Sequence, residues 1–280
     1  MNGSVSESSY SIVQLTRSLE LSRSTYYKKL ILEEKDKQVS VAIETIHQSQ
    51  DDTLGHKKLA ALLGTSKNRV LRIMKKYGIT ARRRGKRYQY PGKSDVIFNN
   101  LANNTLVQIS EVPIVFSDIF EFKLGDGSRV RGCFALLKKS RQILSLVFDY
   151  SMRAALVVTT IKRIDGINPN SIWHSDQGKQ FGAEVTIDTL LERGFTASMS
   201  RAGTPTDNPF AERFVGVFKH AVVRRRSYQT LGEFLTHATA WINFYNETRP
   251  HEGLGQISPN NFARKNKIPV VPYFSNLSVY

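Results

Sequence analysis

Around Glu111 the apolar residues of this chain change their period, and that change limits what the chain can fold into. Before it, apolar residues recur at three- and four-residue spacing. After it, Val112, Ile114, Phe116, Phe120, Phe122 and Leu124 alternate with more polar positions. A period near 3.6 buries one stripe of a helix, and a period of two buries one face of a strand. Gly125-Asp126-Gly127 then supplies a turn. Val130–Lys138 and Gln142–Tyr150 read as two further strands, and Ala154–Ile164 as a helix. Beyond these, Ser171–Ser175 and Phe195–Met199 read as strands, with Ala183–Arg193, Pro209–Arg224 and Leu231–Tyr245 as helices. Three strands, a helix, then strands and helices in turn predict an α/β region with a mixed sheet and flanking helices, preceded by an all-α region.

The all-α region is also where the charge lies. The chain has 280 residues and a formal net charge of +16. Residues 1–100 hold 19 Lys and Arg against 9 Asp and Glu, and the remaining 180 hold 21 against 15. A strongly electropositive front end joined to a nearly balanced body predicts a polyanionic partner, and nucleic acid is the usual one. Two stretches there have the rhythm of a helix-turn-helix unit. In the first, Val13–Glu20 is followed by a break at Leu21-Ser22 and a second helix over Arg23–Leu30, with Ser22 as its N-cap. In the second, Lys58–Leu63 leads through Gly64-Thr65-Ser66 into Lys67–Lys76. Val70, Ile73 and Met74 give that last helix an apolar stripe, leaving Lys67, Asn68, Arg72, Lys75 and Lys76 for solvent or DNA. Arg82, Arg83, Arg84, Lys86 and Arg87 then crowd five cations into six positions, ahead of Tyr88, Tyr90 and Pro91-Gly92. This reads as a linker lying along phosphates.

Other classes are disfavoured. No run of eighteen apolar residues predicts a membrane span, and Met1–Glu7 lacks a signal-peptide pattern. Cys133 is the only cysteine, which leaves no intrachain disulfide and no cysteine zinc site. These features predict a cytoplasmic, nucleoid-associated protein. No G-x-S-x-G elbow is present for serine-nucleophile chemistry.

Three acidic residues stand out within the α/β region. Asp118 falls on the apolar face of its strand, two residues from Phe116 and from Phe120, where an ionised carboxylate needs a cation or hydrogen bonds. Asp176 closes the short strand ending His174-Ser175 and enters a Gly178-containing loop, a common place for catalytic side chains. Glu212 lies in the first turns of a helix for which Asn208 is the expected N-cap and Pro209 the first residue. Glu212, Gly216 and Lys219 make a polar stripe on that helix. Taken singly, each carboxylate has an ordinary explanation as an ion-pair partner, a turn former or a dipole-complementing residue.

Their spacing is less ordinary. Thirty-five residues separate Asp176 from Glu212, and Lys219 follows after six more. Here the chain resembles the DDE superfamily of transposases and retroviral integrases. It is most similar to the downstream-frame (OrfB) transposases of bacterial insertion sequences. The strings that carry the resemblance are Phe116-Ser117-Asp118-Ile119, His174-Ser175-Asp176-Gln177-Gly178, Asp207-Asn208-Pro209-Phe210-Ala211-Glu212-Arg213-Phe214 and Phe244-Tyr245-Asn246-Glu247-Thr248-Arg249-Pro250-His251. The double helix-turn-helix front end, roughly residues 9–84, belongs to the same pattern.

The resemblance implies an RNase H-like core. In it the first Asp lies on the first strand, the second at the end of the fourth, and the Glu on a later helix. It implies a helical DNA-binding region over 1–92, a catalytic core over 106–265 and a tail over 266–280. Asp118, Asp176 and Glu212 would be catalytic and would hold two Mg²⁺ ions, with Mn²⁺ as a substitute, Asp118 bridging them. Lys219 would touch DNA phosphate near the scissile bond. Water would free a 3′-hydroxyl at the element end, and that hydroxyl would attack a second phosphodiester. Implied partners are the terminal inverted repeats, target DNA, further copies of this chain and an upstream-frame (OrfA) protein or fusion. The chain departs from the common pattern at Phe120, where Thr is usual, and at Leu137 and Ala221, where acids are usual. A catalytically silent DNA-binding regulator derived from a transposase is the non-enzymatic alternative, and a nonspecific RNase H-like nuclease the enzymatic one. The first would not need three preserved carboxylates, and the second would not need the helical front end.

Overall fold

The computed structural model describes residues 11–18, 20–82, 94–105, 107, 111–167, 169–202, 204–275 and 277. It begins with α1 (Ile12–Ser18) and α2 (Arg23–Ser49). Ser22 caps α2, its hydroxyl accepting the Thr25 N–H at 3.1 Å. The helix does not stop at Leu30. From Arg23 to Ser49 there is neither Gly nor Pro, so nothing interrupts the i→i−4 ladder. The stripe Asp36, Ser40, Ile43 and His47 gives the distal half a buried face. The second unit folds as its sequence predicts, with α3 (His56–Leu62) turning into α4 (Lys67–Lys76). Gly64 takes φ +60° in the turn, and Ser66 caps α4 through the Arg69 N–H. Ile43, Leu54, Leu59, Val70, Ile73 and Met74 close a small core among α2, α3 and α4.

The five predicted strands form one sheet: β1 (Ile114–Lys123), β2 (Arg129–Leu137), β3 (Ile143–Asp149), β4 (Ile172–Ser175) and β5 (Thr196–Met199). Their spatial order is β3-β2-β1-β4-β5. β1, β2 and β3 pair antiparallel, whereas β4 and β5 run parallel to β1. Short connections suit the first three, and the parallel strands need the crossover helices α5 (Ala154–Lys162) and α6 (Glu184–Glu192). A mixed sheet in this order with helices on both faces is an RNase H-like fold.

Period two sorts the side chains between the faces. Val115, Cys133, Ala135, Val147 and Trp173 pack under α5 and α6. Phe116, Phe120, Phe122, Phe134 and Phe148 pack under α7 (Pro209–Phe218) and α8 (Leu231–Glu247). The departure at Phe120 is absorbed here. Phe120 pairs across the sheet with Gly132 and touches the Phe134, Phe148 and Phe218 rings. A Cβ at position 132 would stand 2.6 Å from Phe120 and 2.7 Å from Phe148. Gly132→Ala should therefore cost roughly 1–3 kcal/mol of stability, the usual range for overpacking a filled core. Thermal melting checks this, and a wild-type midpoint would show that the two rings can give way.

After α8 the chain adds α9 (Pro259–Lys265), which the periodicity did not single out. The segment beyond it lies back on the core. Asn243 exchanges two hydrogen bonds with the Phe274 backbone at 2.8 Å each, and Asn260 donates to the Val271 carbonyl. Among the described residues, no helix is long and apolar enough to cross a membrane.

Candidate active site

The register of two parallel strands places the first two carboxylates. β1 and β4 pair with Phe116 opposite His174. Asp118 and Asp176 each follow by two residues, which returns both to the same face. They thus leave adjacent strands at matching heights, at the carboxyl end of β4. His174 ties β4 to β5 and to the chain just beyond it, its ring nitrogens bonding Ser198 at 2.8 Å and Ser200 at 2.9 Å. Burial pushes that imidazole down to about 4, so it is neutral and structural. In the loop after Asp176, the Gly178 N–H donates to its carboxylate at 3.0 Å, and a Cβ on Gly178 would press on the same oxygen.

The third carboxylate arrives on α7, which packs on β1. Pro209 opens the helix as expected, but Asn208 does not cap it. Its amide instead donates to the Ser117 carbonyl at 3.1 Å, pinning the start of α7 beside Asp118. Ala211, Phe214, Val217 and Phe218 face the core, leaving Glu212 exposed. The α-helix then widens into a π-helical turn over Lys219–Val223. Lys219, its first residue, is half-buried with its ammonium 5.7 Å from the Phe120 ring centroid.

These groups sense one another. Asp118 is pushed up to about 8, first by burial and then by the negative charge of Asp176, with Glu212 adding to it. The Ile119 N–H, at 2.7 Å, and the charge of Lys219 oppose the rise. Burial also raises Asp176, against the Gly178 hydrogen bond, and raises Glu212. Lys219 is lowered by burial and held up in part by Asp118. The cluster is therefore acidic, partly desolvated and short of positive charge. It is not a closed ligand set. Among the described residues, no three His, Cys, Asp or Glu side chains come close enough to hold a metal ion between them.

Comparison with known proteins shows what the chain is similar to. Residues 193–259 match the model of the integrase core domain, a stretch that includes Glu212, Lys219 and Arg249. The 31.7 kDa protein of insertion element IS407 from Burkholderia multivorans is 26% identical over 232 residues, covering 80% of each chain. InsK of Escherichia coli K12, named as a transposase for insertion sequence IS150, is 24% identical over 94% of this chain and 96% of its own. The chain is similar to integrase-core transposases of insertion sequences. Among solved structures, a chain of the simian T-cell lymphotropic virus intasome superposes with a TM-score of 0.48 at 14% identity, over 79% of this chain and 75% of that one.

The expected DNA-contact residues are placed unevenly. Lys67 and Asn68 are exposed at the start of α4. Arg72, expected to face DNA, is instead engaged within the protein: both terminal nitrogens reach Asp36 of α2, at 2.7 and 2.9 Å. A buried carboxylate at position 36 needs that partner, and the Arg72 hydrogen bonds, with its charge, hold Asp36 below the usual carboxylate range. Arg82 is likewise engaged, with Asp52 and with the His220 and Arg224 carbonyls. Arg83, Arg84, Lys86 and Arg87 lie outside the described residues. Asp149 accepts from Ser151 at its strand end, as expected for a structural residue.

The motif near the C-terminus is structural. The Asn246 amide brackets the N–H and C=O of Ile143, both at 2.9 Å, beside the register shift between β2 and β3. Arg249 reaches back to Asp51 at 2.8 Å. Asp51, Arg225 and the internal role of Arg82 were not singled out in sequence. Their partners lie far away along the chain, so no local spacing could have marked them.

Proposed function

We propose that this transposase cuts and joins DNA by direct phosphoryl transfer at Asp118, Asp176 and Glu212. The observation that carries the reading is the Phe116–His174 register, which brings Asp118 beside Asp176, with the charge of Lys219 felt at Asp118. The alternative of a silent regulator has no observation in its favour.

The donor set fits Mg²⁺. It consists of hard carboxylate oxygens whose proton affinity is raised by burial, and at Asp118 also by the charge of Asp176, which a divalent cation would neutralise. Asp118, Asp176 and Glu212 would hold the two ions, and Mn²⁺ would substitute. Bound there, the ions supply charge for the attacking and leaving oxygens of an in-line displacement. The protein's own groups do the positioning. Gly178 and the Ile119 N–H aim the two aspartates, and Lys219 would hold a non-bridging phosphate oxygen. Water attacks the phosphodiester at the element end and releases a 3′-hydroxyl. That hydroxyl attacks a second phosphodiester, so one P–O bond forms as another breaks and no protein–DNA bond is needed. Residues 1–92 would bind the terminal inverted repeats, 106–265 would do the chemistry, and 266–280 would pack as a tail. Two copies would pair element ends, with target DNA and an upstream-frame partner completing the assembly.

The test is a strand-transfer assay with element-end duplex and the full chain, with and without the upstream-frame protein. Joined product should form with Mg²⁺ or Mn²⁺ and vanish with chelator. Joining in chelator would overturn the carboxylate mechanism. A second expectation concerns sequence reading. Asn68, at the first turn of α4, is placed where recognition helices meet base edges. Asn68→Ala should lower affinity for element ends roughly tenfold, about 1.4 kcal/mol, with little change on random duplex. Equal losses on both DNAs would mean that α4 touches phosphates only.

A further inference from the structure

The helical front end and the catalytic core cap each other with arginines, one contact on the turn that carries Lys219 and the other just after it. From the front end, Arg82 donates to the His220 carbonyl at 2.6 Å and to the Arg224 carbonyl at 2.9 Å, while Asp52 holds its other edge at 3.1 Å. His220 lies within the π-helical turn and Arg224 caps its end, and the first residue of the turn is Lys219. From the core, Arg225 donates to the His47 carbonyl at 2.6 Å, to the Gln50 carbonyl at 2.8 Å and to the Gln48 carbonyl. These are the carbonyls at the C-terminal end and cap of α2, which lack partners inside the helix and carry its negative dipole end. His220 also bonds back to the Arg82 carbonyl at 3.3 Å.

A π-helical turn is wider than an α-turn and less favourable, and it persists where surrounding contacts hold it. Here those contacts come from another part of the chain. Arg82 grips carbonyls one and five residues beyond Lys219, and Arg225 anchors the same turn to the end of α2. We propose that Arg82 and Arg225 are positioning residues for strand transfer. They hold the turn that sets Lys219 near Asp118, so that seating of the front end on the core sets the geometry of the active site. The proposal rests on the reading of Asp118, Asp176, Glu212 and Lys219 given above. It also removes Arg82 from the phosphate-tracking role that its basic neighbourhood suggests, since its guanidinium is already engaged.

The test uses the full chain saturated with element-end duplex and measures the single-turnover rate of joining in Mg²⁺. The variants are Arg82→Ala, Arg225→Gln, Lys219→Ala and the two doubles with Lys219→Ala. Each arginine variant should slow joining roughly tenfold to a hundredfold, the scale set by a misplacement near 1 Å. Saturation with DNA should not restore the rate, and the Arg82→Ala salt slope of binding should match wild type. The decisive readout is the pair of doubles. If the arginines act through Lys219, each double joins no more slowly than Lys219→Ala alone. A purely structural loss would multiply with the Lys219→Ala loss and overturn the proposal, as would wild-type joining by both arginine singles. If Arg82→Ala fails to fold, Arg225→Gln carries the same comparison. Glu212→Gln run alongside separates the two readings. Joining by that variant overturns the site assignment itself, whereas a dead Glu212→Gln with multiplicative doubles overturns only the role of the arginines.

Discussion

Glu212→Gln should leave the protein folded and bound to element-end DNA but unable to cleave or join it, a loss of at least a thousandfold. The substitution keeps the shape of an exposed residue on α7 and removes one negative charge, so packing has no reason to change. Asp118→Asn and Asp176→Asn should be equally inactive, while Asp149→Asn and Asp165→Asn should keep their activity. A gel assay of joined product, with band-shift affinity measured beside it, checks all five. Near wild-type joining by Glu212→Gln would sink the three-carboxylate assignment.

The two aspartates add a signature in chelator. Asp118 holds its proton up to about pH 8 because burial and Asp176 disfavour its charge. Over the range between the ordinary Asp value and that one, the folded state binds more protons than the unfolded state. Stability therefore falls as pH rises toward 8. Asp118→Asn should remove this decline and melt higher than wild type at pH 8 without metal. The expected gain is a few degrees, given about 2–4 °C per kcal/mol for chains of 150–250 residues. Added Mg²⁺ should raise the wild-type midpoint and leave that of Asp118→Asn nearly unmoved. The opposite ranking would mean that Asp118 is satisfied by some other group.

The largest loss of stability is expected from Arg249→Met. Arg249 and Asp51 are 2% and 0% exposed and meet at 2.8 Å, joining the end of α8 to the loop after α2. Removing the arginine strands a buried carboxylate, which typically costs about 3–5 kcal/mol, or roughly 10 °C in melting midpoint for a chain of this class. Asp51→Asn in the same background should recover part of that loss, because the uncompensated charge goes with it. The pH dependence has the opposite sign from that of Asp118. Burial works against the charge of Asp51, but Arg249 and the Thr53 hydrogen bonds outweigh it and hold the carboxyl below the usual range. The stability it contributes is present above the ordinary Asp value and is lost as pH falls through its own. The gap between wild type and Arg249→Met should therefore narrow on acidification below about pH 4. A variant melting within 2–3 °C of wild type at pH 7 would show that water reaches the pair.

Much of this protein was legible in one dimension because its strongest signals are local. The period-two run from Ile114 to Phe122 defined β1, and counting along it put Asp118 on the face of Phe116 and Phe120. Ser66 and Gly64 marked the junction of α3 and α4, since a cap and a left-handed turn depend on the residues that form them. The order of strands and helices limited the sheet, and the spacing of Asp176, Glu212 and Lys219 pointed to the family. What the tertiary structure decided is everything that depends on which distant segments meet. Ser22 predicts where α2 starts, but its length to Ser49 depends on the buried stripe it presents to α3 and α4. Asn208 has the chemistry of an N-cap, yet the nearby Ser117 carbonyl takes its amide. Arg72 and Arg82 look like DNA contacts in a basic sequence, but Asp36 in one case, and Asp52 with the carbonyls of the π-helical turn in the other, lie close enough to claim them. A charged side chain goes to the partner that is already fixed and least hydrated, and only the fold determines which partner that is.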